Sequence, residues 1–184
     1  MNFPSQSNHT QASVYLYKKK SKLNKNVLYN NIDNISAKVS VIGLGYVGLP
    51  LVMRFAEQGF KTIGIDIDRE KTKKLNSGLS YIKHISSERI SNALESSFTA
   101  TSDFSNINTV DVIIICVPTP LGIHNEPDIS YINSTMKFIK PFLKENQLLI
   151  LESTTYPGTT EEVIIPIIEK NDDDKTKVNK IPNL

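Results

Sequence analysis

The chain has a single cysteine, Cys116, among its 184 residues. One cysteine excludes an intramolecular disulfide framework and any cysteine-cluster metal site, and it suits a reducing cytoplasm. No stretch holds the ~18 uninterrupted apolar residues of a membrane span. The N-terminus also lacks the apolar core of a secretory signal. Histidine is scarce: His9, His84 and His124 stand apart from one another and have no ligand spacing, so solvated side chains are expected and no metal. Charge is nearly balanced, and a net +2 points to no particular partner. One basic cluster spans residues 14–22 beside Tyr15 and Tyr17, without an organised basic face. Neither nucleic acid nor membrane is therefore expected as a partner. There is no internal repeat.

Hydrophobic residues make up 39% of the chain, and the periodic ones fall almost wholly between residues 38 and 168. Residues 1–36 are rich in Asn, Ser and Lys and show no sustained period, which reads as a polar, basic, disordered leader. Residues 171–184, with the run Asp172, Asp173 and Asp174, read as a polar, solvated tail. A single domain over residues 37–170 is the expected organisation.

The rest is arranged around residues 38–68. Val39, Ser40, Val41 and Ile42 form a β-branched apolar run, the signature of a buried strand. The run stops at Gly43-Leu44-Gly45-Tyr46-Val47-Gly48, a G-x-G-x-x-G placed where a strand turns into a helix. Gly43 permits the tight turn, Gly45 lets the backbone approach a pyrophosphate, and Gly48 allows close packing of helix on strand. The helix N-terminus directs free N–H groups and a positive dipole end at that turn, which suits a phosphate. Val47, Leu51 and Phe55 make an apolar stripe expected to face inward. Gly59 ends this helix, and residues 61–65 form a second strand that finishes at Asp66. Asp66 lies close to the ~20 residues beyond the glycines at which an acid binds an adenosine ribose. An acid there favours NAD over NADP, a preference tempered by Arg69 and Lys71.

Asp68 is expected to cap a helix over residues 69–75, stopped by Asn76-Ser77-Gly78. A short helix over residues 87–94 and a strand over 98–101 follow. Residues 110–117 are the clearest buried strand, ended by Pro118-Thr119-Pro120. Asp128 or Ser130 caps a helix from Tyr131 toward Phe138 with Ile132, Met136 and Ile139 inward. Residues 147–151 form another strand, ending in Glu152-Ser153-Thr154. Thr159 or Thr160 caps a last helix with Val163, Ile164, Ile167 and Ile168 inward, acids Glu161 and Glu162 in its first turn, and a kink at Pro166.

Strands alternating with helices imply a doubly wound α/β fold with a mainly parallel sheet, whose ligands lie beyond the carboxyl ends of the strands. That rule gathers residues 43–48, Asp66, residues 118–120 and residues 152–154 into one rim. Thr119, held between prolines at a strand tip, can present its hydroxyl to the reactive end of a cofactor. Cys116 sits among isoleucines with no histidine nearby, and a buried, inert thiol is expected.

Together VIGLGYVGLPL at 41–51, GIDID at 64–68, LNSG at 75–78, CVPTPL at 116–121, EPDISYI at 126–132 and LESTTYPGTTEEV at 151–163 resemble the NAD-binding, Rossmann-type domain of the UDP-glucose/GDP-mannose dehydrogenase family. The last two are most similar to the branch acting on UDP-N-acetylhexosamines. The resemblance implies a C6 alcohol oxidised to a carboxylate by two hydride transfers to NAD, in the synthesis of polysaccharide precursors. By motif, Tyr46 and Val47 lie at the pyrophosphate, Asp66 at the adenosine ribose, and Lys71, Thr119 and Thr160 contact the cofactor, Thr119 also assisting the chemistry. The family's Gly-Gly-His-Cys motif, with its nucleophilic cysteine, has no counterpart here, and Cys116 is not at its position. The resemblance thus implies the first domain alone, from a truncated gene. Such a chain would bind NAD, turn over a UDP-sugar poorly by itself, and stay a monomer or weak oligomer with apolar surface exposed. A non-catalytic remnant, or one half of a split enzyme, is the alternative.

Overall fold

The computed structural model describes residues 13–19, 25–122, 126–169 and 176–180. Its elements are β1 (Ser13–Lys19), α1 (Lys25–Asp33), β2 (Lys38–Ile42), α2 (Gly48–Glu57), β3 (Lys61–Ile65), α3 (Arg69–Asn76), α4 (Ser87–Ser96), β4 (Phe98–Thr101), β5 (Val112–Ile115), α5 (Ser130–Ile139), β6 (Leu148–Leu151), α6 (Ile165–Glu169) and β7 (Thr176–Lys180). The strand order is β4-β3-β2-β5-β6-β1-β7. From β4 to β6 the pairs are parallel, with Val41 opposite both Gly64 and Ile114. The chain builds outward from β2 to β4 and then returns to lay β5 on the other flank of β2. That reversal opens a crevice at the carboxyl ends of β2 and β5.

Side chains alternate across the sheet. Val112 and Ile114 of β5 join one core with Leu49, Val52 and Met53 of α2, Leu75 of α3 and Ile90 of α4. Ile113 and Ile115 join the other, with Ile132, Met136 and Ile139 of α5 and Ile164 and Ile168. A strand buried on both faces reads as an unbroken apolar run, which is why β5 stood out so clearly. Local signals held as well. Asp68 Oδ1 accepts from the N–H groups of Glu70 and Lys71 at 2.9 and 3.3 Å. Gly78 takes φ +74° after α3. At α5 the expected Asp128 or Ser130 cap does not form: Ile129 holds the cap position without a side-chain bond, and Asp128 Oδ1 accepts from the N–H of Ser130, the first residue of the helix, at 2.9 Å.

Four further expectations are corrected. Residues 1–36 were expected to be unpatterned, yet they contain β1 and α1, and β1 pairs antiparallel with β6. The polar tail contributes β7, antiparallel to β1. Bare β6 would present a row of unpaired main-chain groups, and a Val- and Tyr-containing segment satisfies them. On α2 the buried positions are Leu49, Val52, Met53 and Ala56, while Val47 is 59% exposed. Leu51 and Phe55 are only partly buried, and with Val47 they flank a shallow apolar groove over Ile114 and Ile150. This helix is apolar around most of its circumference, so sequence spacing alone does not choose its inward phase. The choice falls to Gly48, whose Cα lies so close to the Gly43 carbonyl that a Cβ would stand 1.8 Å from it. Finally, neither threonine caps the last helix by its side chain. A π-helical turn, Thr160–Ile164, precedes α6, and Thr159 Oγ1 donates instead to Tyr156 O at 2.7 Å. The widened turn leads directly into Pro166, which has no N–H to continue an α ladder.

His9, His124 and Asp172 to Asp174 lie outside the described residues. No described helix is long and apolar enough to cross a membrane.

Candidate functional site

The glycine turn is held by its neighbours on all sides. Gly43 has φ +91°, a conformation that favours glycine, and a Cβ there would lie 2.6 Å from Cys116 O. Its N–H donates to Ile65 O at 2.8 Å, tying the turn to β3. Leu44 is fully buried, and it fits because residue 64 is glycine: a Cβ there would sit 2.8 Å from Leu44 Cδ2. Gly45 differs from the others. Its φ is ordinary and nothing stands within 4 Å of where its Cβ would be. Among the described residues, no acceptor takes the N–H groups of Gly45, Tyr46 or Val47. These donors open the ten-residue helix α2, at the positive end of its dipole.

A cavity of about 600 Å³ opens over this turn, lined by Gly43, Gly45, Tyr46, Val47, Asp66, Lys71, Thr119 and residues 152–154. The rim expected from the sequence is therefore one place in space. Cys116, Val117 and Pro118 form part of its wall, and Ser153 Oγ donates to Val117 O at 2.9 Å, tying the tips of β5 and β6 together. Asp66 is 6% exposed, and its carboxylate accepts from Leu44 N at 2.8 Å and from Asp68 N at 2.9 Å. Lys71 Nζ stands 3.4 Å from Asp66 Oδ2. Asp66 thus organises the turn in addition to facing the cavity. A carboxylate offers about four lone-pair directions, so capacity remains for a hydroxyl donor.

Burial, and after it the charge of Glu152, pushes the Cys116 thiol up to about 12. It is a buried thiol, as expected, with almost no thiolate at neutral pH. Thr160 is not in the lining; it is 2% exposed and its Oγ1 has no partner among the described residues. Among those residues no group of three or more His, Cys, Asp or Glu could hold a metal.

Sequence reasoning missed two features. One wall of the cavity comes from Tyr131, Ser134, Thr135 and Phe138 of α5, with Phe138 stacked on Phe104 at 5.2 Å between ring centroids. The signal was present as a second i, i+3, i+4, i+7 face on α5. The other is the segment after α3. Tyr81 Oη donates to Leu44 O at 2.6 Å, and His84, expected to be isolated, stacks on the Tyr46 ring at 6.3 Å.

Residues 37–182 match the UDP-glucose/GDP-mannose dehydrogenase family, NAD binding domain. The chain is 36% identical over 133 residues to the UDP-N-acetyl-D-glucosamine 6-dehydrogenase of Pseudomonas aeruginosa, a match covering 72% of this chain and 31% of that protein. Among solved structures, the UDP-N-acetyl-mannosamine dehydrogenase of Staphylococcus aureus superimposes with a TM-score of 0.67 at 34% identity, covering 73% of this chain and 33% of that one. GDP-mannose dehydrogenase from P. aeruginosa, solved as a ternary complex, gives 0.67 at 30% identity, with 72% and 32% covered. The chain therefore spans about a third of the length of these relatives. Glycine turn, acid-tipped second strand and switch-point cavity agree with the match: the chain belongs to the UDP-glucose/GDP-mannose dehydrogenase family and carries its NAD-binding domain.

Proposed function

We propose that the cavity binds NAD and that the chain is the cofactor-binding part of an NAD-dependent UDP-N-acetylhexosamine 6-dehydrogenase. The observation that carries this is the set of unaccepted N–H groups at Gly45, Tyr46 and Val47, three residues that line the cavity with Asp66. They suit the diphosphate, and the open Cβ direction of Gly45 allows its close approach. Asp66 takes the adenosine ribose hydroxyls, with Lys71 beside it. Thr119, between Pro118 and Pro120, faces the nicotinamide end and orients it. Thr160 is left without a contact to the cofactor. When bound, NAD supplies the hydride acceptor; this chain's residues hold and orient it.

Similarity to a UDP-N-acetyl-D-glucosamine 6-dehydrogenase and a UDP-N-acetyl-mannosamine dehydrogenase supports the UDP-N-acetylhexosamine branch. The oxidation itself is assigned to proteins of the relatives' full length, because Cys116 is buried against the turn and cannot serve as their nucleophile. A UDP-sugar is accordingly a partner only where the remaining catalytic part is supplied, in the same chain or a separate one. A monomer or weak oligomer in the cytoplasm is the state this reading assigns, and the shallow apolar groove beside α2 supports exposed surface in the isolated chain.

Calorimetric titration with NAD, using Gly45→Ala as the control, tests the reading. Binding in the range of about 1 μM to 1 mM that weakens in the control supports it. A folded chain with no NAD affinity would sink it.

A further inference from the structure

We propose that Tyr81 is a positioning residue for the cofactor's diphosphate, acting through the Leu44–Gly45 peptide. The inference rests on the NAD reading of the cavity. Leu44 is held at both polar groups: its N–H donates to Asp66 at 2.8 Å and its C=O accepts from Tyr81 at 2.6 Å. The described chain has no cis peptide bond, and in a planar trans peptide the carbonyl and the next N–H point in opposite directions. Tyr81 is not in the cavity lining and approaches the Leu44 carbonyl from behind the turn, whereas Gly45 is in the lining. Pinning the carbonyl to Tyr81 therefore turns the Gly45 N–H toward the cavity.

Tyr81 is built for this task. Ile82 and Ile85 beside it are 3% and 2% exposed, anchoring the segment in the core. Ser80 Oγ donates to Ile82 O at 3.0 Å and accepts from Ile82 N at 3.1 Å, fixing the bend. Farther along, the His84 ring rests on Tyr46, so one segment braces the turn on both sides of Gly45. Burial, followed by the charges of Asp66 and Asp68, raises the phenol above the ordinary tyrosine range, so it remains a donor at every working pH.

The test compares NAD, ADP and adenosine binding to the whole chain by NMR titration, for wild type and Tyr81→Phe. Loss of one net hydrogen bond predicts a roughly fivefold drop in affinity for NAD and ADP, unchanged affinity for adenosine, and a smaller ADP-induced shift of the Gly45 amide. Equal losses for all three ligands would mark Tyr81 as merely structural and overturn the proposal. So would unchanged NAD and ADP binding. If Tyr81→Phe does not fold, Ser80→Ala gives the same comparison by loosening the bend, with the same ligand pattern expected. A wild-type chain without NAD affinity overturns the cofactor reading and this inference with it; failure of the variant pattern alone removes only the role of Tyr81.

Discussion

Alanine placed in turn at Gly43, Gly45 and Gly48 should separate folding from binding, because the structure makes opposite demands at the three positions. At Gly43 an L residue must adopt φ +91°, and its Cβ would lie 2.6 Å from a main-chain oxygen. The left-handed backbone costs about 1–2 kcal/mol, and relieving the overlap about 1–3 kcal/mol more. Gly43→Ala should therefore lose roughly 2–5 kcal/mol. For a domain of this size that lowers the melting midpoint by roughly 4–20 °C, at ~2–4 °C per kcal/mol. Gly48→Ala should be at least as damaging: its Cβ would stand 1.8 Å from Gly43 O and 3.2 Å from Cys116 Cβ, so strand and helix must part. Gly45→Ala meets nothing within 4 Å at an ordinary φ. Its stability should stay within about 0.5 kcal/mol of wild type, or rise by up to ~1 kcal/mol as the unfolded chain loses freedom. Its NAD affinity should nevertheless fall at least about tenfold, ~1.4 kcal/mol, because the methyl group occupies the diphosphate's approach. Thermal unfolding by circular dichroism and NAD titration on the same samples measure both quantities. The reasoning is refuted if Gly45→Ala binds NAD like wild type, or if it unfolds as early as Gly43→Ala.

Asp66→Asn should narrow the preference for NAD over NADP, since the charge that repels a 2′-phosphate is gone; an unchanged ratio of the two dissociation constants would contradict that role. Gln147 is fully buried and donates to Ile107 O and Val110 O at 2.6 and 2.8 Å while accepting from Lys144 N at 2.8 Å. Gln147→Ala strands these groups and should cost about 2–5 kcal/mol in urea unfolding; a loss under 1 kcal/mol would show that water replaces them. Stability should fall as pH rises from the ordinary thiol value of 9.0 toward about 12, because Cys116 keeps its proton in the fold while the unfolded chain releases it. The native state then binds more protons, making the slope of unfolding free energy with pH negative. Tyr81 adds to the fall at higher pH. Urea unfolding at stepped pH checks the sign, and Cys116→Ala should flatten the curve. Iodoacetamide should label Cys116 at pH 8 only as fast as the chain opens, and rapid labelling under native conditions would place the thiol at the surface.

The sequence alone determined those features whose causes act within a few residues. β4 was legible as Phe98–Thr101 from its β-prone run, and α3 from the Asp68 cap and the stop at Gly78. The inward face of α5 followed from its period, and the rim followed from polar residues placed after apolar strands. What remained needed contacts distant along the chain. The phase of α2 depends on Gly48 meeting the Gly43 carbonyl, since the helix is apolar on more than one side. The pairing of β1 with β6 joins Ser13 to Leu151 and is set by the open sheet edge, which no local pattern reports. The bond from Tyr81 to Leu44 spans 37 positions, and Asp66 reaches back 22 to hold the same residue. Short-range propensity placed the elements; only tertiary packing turned Gly45 toward an open cavity and brought Asp66 and Tyr81 onto the two ends of one residue beside it.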